Sequence, residues 1–168
     1  MSTMGSIQCL IIPADLDVLV QTMELEQGDI KTMQGIVDGH FQVLELEAQK
    51  ASMFVNEEGK NIGLKMNQRA TMLLWLSDSV WRFQDVVAGN VFIIGPPDDE
   101  GDSTSVPQEL VDLLFSTEKY KGEVTTLSDE DSWSSNNLEF PDFWEAAHSV
   151  LELASRWQLV KEARVVAA

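Results

Sequence analysis

Several groupings of side chains in this sequence have types that could do chemistry. Cys9, His40 and His148 are soft or borderline metal ligands, but they stand far apart and share no ligand spacing, so no metal site is expected. Asp98, Glu100 and Asp102 alternate as calcium-loop ligands do, with Glu109 at the twelfth place. The sixth place is Ser103 where the turn needs glycine, and Pro107 stiffens the second half, so a solvated acidic loop is the better reading. Glu57 and Glu58 are adjacent; on a strand they face opposite sides and do not form a carboxylate pair. Asn56, Glu57, Asn67 and Arg69 could converge as a polar pocket, against the plainer alternative that they set a turn and cap a helix. Gly59-x-x-x-Gly63 lacks the Lys-Ser/Thr of a phosphate loop, and no nucleophile elbow occurs. No catalytic residue, metal or cofactor is assigned.

The elements that must position these residues are organised around Phe54–Trp75. That stretch reads as strand, tight turn at Glu58-Gly59-Lys60 with Gly59 free to take positive φ, return strand at Asn61–Leu64, and a helix capped by Asn67. Upstream, Ile7–Ile12 and Val18–Leu25 read as an antiparallel hairpin. Ile30, Met33, Ile36 and Val37 have helical spacing, with Asp29 as N-cap and Gly39 ending the helix. Phe41–Leu46 and Met53–Asn56 add strands, and Val91–Ile94, stopped by Gly95-Pro96-Pro97, is the clearest strand of all.

From Pro96 the composition changes to an acidic loop. A short helix follows Pro107, with Leu110, Leu113 and Leu114 as its buried face. Lys121–Asn137 has few aliphatic residues and is expected to be irregular. A helix starting at Pro141 places Phe143, Trp144, Ala147, Val150, Leu151, Ala154 and Trp157 at helical spacing. The expectation is an α+β fold: a single mixed or antiparallel sheet with helices packed on it and a C-terminal helix. Residues 1–95 form the scaffold domain, and residues 96–168 an acidic linker plus C-terminal helices packed on the same domain.

The 168 residues suffice to bury a core without staples. Twenty-eight acids face 11 bases, a net charge of −17. Residues 1–92 carry −6 and residues 93–168 carry −11. Such a field repels phosphate backbones and anionic membranes and attracts basic protein surfaces. A single cysteine excludes an internal disulfide. The start, Met-Ser-Thr-Met-Gly-Ser, lacks a signal-peptide n-region, and no apolar run is long enough to span a membrane. A soluble cytoplasmic protein is expected.

Three stretches carry a family resemblance: Val55–Lys60 continuing to Gly63-Leu64, Asn67–Thr71, and Val87–Gly95. Ile7–Ala14 and Ile36–Leu44 fit as well. Over roughly residues 6–95 the chain resembles a family of small uncharacterised domains of actinobacteria, their phages and mobile elements, domain of unknown function 3846. The resemblance implies a phage or plasmid accessory protein in a bacterial cytoplasm and supplies no catalytic residues.

The leading expectation is a non-enzymatic accessory protein. It binds, and inhibits, a host or defence protein with a basic surface, through Asp129, Glu130, Asp131, Trp133, Phe140 and Trp144. Two alternatives stand beside it: a DNA mimic that occupies a DNA-binding protein, and a small-molecule site or enzyme at Asn56, Glu57, Asn67 and Arg69. Direct nucleic-acid and membrane binding are not expected, and a homodimer is compatible with the tryptophan-rich helices.

Overall fold

The computed structural model describes residues 5–168. Residues 1–4, part of the amino-terminal segment read above for targeting signals, lie outside the described residues. The protein is α+β, as expected, with antiparallel sheets, but its strands divide between two sheets of five and three rather than one. The chain forms two compact units: residues up to Thr71 with Val86–Gln108, and Met72–Asp85 with Glu109–Ala168.

In the first unit, β1 (Ser6–Ile12), β2 (Gln21–Glu26), β3 (Phe41–Leu46), β4 (Ala51–Asn56) and β5 (Val91–Ile94) are ordered β2-β1-β5-β4-β3. Every residue of the central β5 is buried, as its unbroken Val-Phe-Ile-Ile run requires. Helix α1 (Ile30–Val37) places Met33 and Val37 against Ile7, Cys9, Leu25, Phe92 and Ile94. Phe54 stacks on Phe92 at 4.7 Å between ring centroids.

Asp29 caps α1, accepting from the Thr32 amide at 3.2 Å. That bond and the Thr32 hydroxyl, the larger influence, hold its carboxyl below the usual range. The left-handed residue at the helix end is Asp38 (φ 63°), not Gly39. Gly39 follows at φ 152°, also positive, and is needed for space as well: a Cβ there would sit 2.8 Å from Asn56 Nδ2.

Three further expectations do not hold. Strand β2 begins at Gln21, so Val18–Val20 belong to a loop. No return strand forms over Asn61–Leu64, where the chain turns, Gly63 adopts φ 74° and Ile62 is exposed. Gly59 does not take positive φ; a Cβ on it would approach the Ala88 carbonyl to 3.0 Å.

The second unit holds β6 (Tyr120–Thr126), β7 (Asp129–Ser134) and β8 (Val160–Ala167), ordered β7-β6-β8, with α4 (Phe143–Arg156) on one face. Lys121–Asn137 is therefore mostly a hairpin, not irregular chain; Val124, Thr125 and Thr126 supply the β-branched residues. Asp142 caps α4 through its Oδ2, 3.1 Å from the Glu145 amide, and Phe143, Ala146, Ala147, Val150, Leu151 and Ala154 are its buried stripe. Unit boundaries fall inside α2 (Gln68–Ser77) and after the first residue of α3 (Gln108–Phe115). In α3 only Leu110 is buried; Leu113 and Leu114 are half-buried.

Candidate functional site

The residues proposed as an amino-terminal polar pocket are mostly committed to backbone. Asn56 donates through Nδ2 to the Val37 and Asp38 carbonyls, both at 3.0 Å, and accepts from the Glu58 amide at 2.8 Å. Asn67, fully buried, caps α2 by accepting from the Ala70 amide at 2.9 Å. Its Nδ2 donates to the Ile12 and Gly89 carbonyls at 2.8 and 2.9 Å. Arg69 Nη2 reaches the carbonyls of Pro13, Asp15 and Val18 at 2.8, 3.1 and 2.8 Å. Glu57 is exposed. These bonds go to different segments: Asn56 to the end of α1, Asn67 to the ends of β1 and the 87–90 turn, Arg69 to the 13–18 loop. That loop presents Leu16, Val18 and Leu19 outward, although Val18 and Leu19 fall within the Val18–Leu25 strand expected from the sequence.

The acidic loop folds on itself. Asp98 Oδ1 accepts from the amides of Glu100 and Asp102, each at 2.9 Å, so the carboxylate that opens the calcium-like spacing closes an Asx-type turn. Among the described residues, no group of three His, Cys, Asp or Glu could hold a metal ion. Cys9 is buried and its thiol is pushed up to about 11 by desolvation, which leaves it unreactive at neutral pH. No helix among the described residues is long and apolar enough to cross a membrane.

The acid excess is not confined to the carboxy-terminal half. The first unit carries 14 acids and 5 bases, the second 14 acids and 6 bases. What distinguishes the second unit is where its acids and aromatics sit. Asp129, Glu130 and Asp131 are all exposed on β7, an edge strand. Trp133 follows on the same strand. Val124 pairs with Ser134 and faces the helix, so Trp133 points to the opposite side of the sheet. There the Arg164 guanidinium lies 3.9 Å from the Trp133 ring centroid. The same guanidinium donates to Glu123 Oε1 from Nε at 2.9 Å and Nη2 at 2.7 Å. Glu130 pairs with Lys161 at 2.9 Å.

On the helix side lies a cleft of about 290 Å³, lined only by residues of the second unit. Gly122 and Val124 of β6 and Val150 of α4 form its floor. Gly122 lets helix and strand close up, since a Cβ there would sit 2.6 Å from Val150 Cβ. Phe140, Leu153 and Trp157 are its apolar walls, and Ser134, Ser135, Asn136 and Ser149 its polar rim.

Of the residues expected to touch a partner, the structure thus brings Asp129, Glu130, Asp131 and Trp133 onto one strand and sends Phe140 to the cleft. Trp144 is half-buried and packs edge-on against Phe143, 4.8 Å between centroids, and does not line the cleft. Leu153 and Ser149 were not singled out from the sequence, and Trp157 was read as helix packing. Their spacing of four along α4 was the available signal.

A family model described as a domain of unknown function (DUF3846) matches residues 7–130. The chain belongs to the DUF3846 family. The match extends past the residue 6–95 span of the expected resemblance and includes the acidic loop, α3 and β6. The DUF3846 match ends within β7, before Trp133, α4 and β8, so the strand and helix that complete the second unit lie beyond it. No curated protein and no solved structure matches the chain significantly.

Proposed function

We propose that this DUF3846 protein is a non-enzymatic accessory factor that binds a partner protein with a basic surface through the Trp133 side and acidic edge of its second unit. The supporting observation is the composition of β7. Three exposed carboxylates and one tryptophan stand on a single edge strand, and the outer edge of that strand pairs with no strand among the described residues. The Arg164 stack holds the Trp133 ring in a defined pose, which lowers the entropy lost on docking. An aromatic anchor beside Asp129 and Asp131, exposed and in no ion pair among the described residues, suits a surface rich in Lys and Arg. The resemblance to phage and mobile-element domains adds the setting to the proposal: a bacterial cytoplasm, with a host or defence protein as the target that is inhibited.

Affinity capture by the full chain from a bacterial lysate, followed by a salt series on the purified pair, tests this. Binding is expected to weaken steeply towards roughly 1 M salt, where the screening length falls to about 3 Å. A pair formed without any salt dependence contradicts the acidic-edge reading.

A further inference from the structure

We infer that the cleft between α4 and β6 receives one apolar side chain from a short basic segment of the partner protein. This goes beyond the Trp133 side and acidic edge to a second contact on the helix side of the same unit, and it rests on the protein-binding reading. The volume of about 290 Å³, at the lower limit of small-molecule pockets, about 300–1,000 Å³, is ample for a single aromatic or long aliphatic side chain. At the floor, Gly122 lets Val150 bear directly on the sheet. The walls are apolar, and Trp157 keeps 41 % of its surface exposed in the free protein, available to be covered.

Charge selects the occupant. Glu139 precedes the wall residue Phe140, Glu152 precedes Leu153, and Glu145 stands one helical turn before Ser149. All three are exposed and form no ion pair among the described residues. On α4, Arg156 next to Trp157 is the Lys or Arg side chain that flanks the lining, and His148 precedes Ser149; Lys121, next to Gly122, projects from the other face of β6. Three unpaired carboxylates against one arginine favour lysine or arginine on either side of the inserted residue. Ser134, Ser135, Asn136 and Ser149 offer hydroxyl and amide groups to the backbone of that segment.

The test uses the full chain and three labelled hexapeptides: Lys-Lys-Leu-Phe-Lys-Lys, Lys-Lys-Ala-Ala-Lys-Lys and Glu-Glu-Leu-Phe-Glu-Glu. Fluorescence anisotropy should show binding of the first, with the second and third weaker by about tenfold or more. Trp157→Ala and Phe140→Ala should each weaken the first peptide by about tenfold. Both substitutions keep the backbone bonds of those residues, and circular dichroism confirms folding. No binding of the first peptide, or equal binding of the first and second, overturns the inference, as does binding indifferent to both substitutions. The two readings fail separately: if Trp133→Ala loses a captured partner protein while Trp157→Ala retains it, the cleft inference falls and the proposed function stands.

Discussion

The guanidinium of Arg164 lies 3.9 Å from the Trp133 ring centroid while donating twice to Glu123 Oε1. The three side chains come from β8, β7 and β6, so one stack crosses the whole small sheet. A double-mutant cycle on Trp133→Ala and Arg164→Ala should give a coupling of about 0.5–1 kcal/mol by urea denaturation, the range for an exposed cation–π contact. A coupling near zero would mean the stack does not hold the ring in place.

Asn67 does two jobs from a fully buried position: it caps α2 and satisfies the Ile12 and Gly89 carbonyls. Asn67→Ala should cost roughly 3 kcal/mol, combining a lost cap with unsatisfied buried groups. Asn67→Ser, which restores the cap oxygen but not both donors, should recover about 1 kcal/mol of that. Equilibrium unfolding of the two variants checks the order.

Arg69 fastens the 13–18 loop through three carbonyls. Arg69→Met should cost about 3 kcal/mol or more, since hydrogen bonds to a charged donor are worth about 1.5–3 kcal/mol each. Hydrogen exchange should rise over residues 14–20 first. Unchanged protection there would show that the loop is held by something other than Arg69.

Cys9 supplies a pH dependence with a definite sign. Burial raises its thiol from 9.0 to about 11, so the folded state retains a proton that the unfolded chain has already lost. Its contribution is constant below pH 9 and is lost as pH rises from about 9 to about 11, by roughly 2 kcal/mol in total. The difference in unfolding free energy between the native chain and Cys9→Ala, followed from pH 8 to pH 11, should shrink by that amount.

Legibility in the sequence followed the distance over which each signal acts. Strands β1, β3, β4 and β5, helix α1 with its Asp29 cap, and α4 all carry local patterns, and the structure places them within a few residues of expectation. Asn61–Leu64 has strand-like apolar residues, but Gly63 at positive φ turns the chain. Strand β8 escaped for a clear reason: its buried residues are Val160, Ala163 and Val165, and a register shift opposite Thr125 breaks the alternation. Asn67 and Arg69 were visible as polar residues beside a helix start. That their donors go to carbonyls more than fifty residues away was not visible, because only the fold sets those distances. The cleft was illegible for the same reason: it exists where Gly122 meets Val150, and neither residue marks itself.

The central claim is that β7 binds a basic partner through a specific surface and not through net charge. Calorimetric titration of the captured partner should be made against the native chain, Trp133→Ala, the combined Asp129→Asn/Glu130→Gln/Asp131→Asn variant, and Glu24→Gln/Glu26→Gln, which removes exposed acids from the first unit. The first two variants should weaken binding by about tenfold or more each, and the last by less than about twofold. Equal weakening by both sets of charge substitutions, with no effect of Trp133→Ala, would contradict the account.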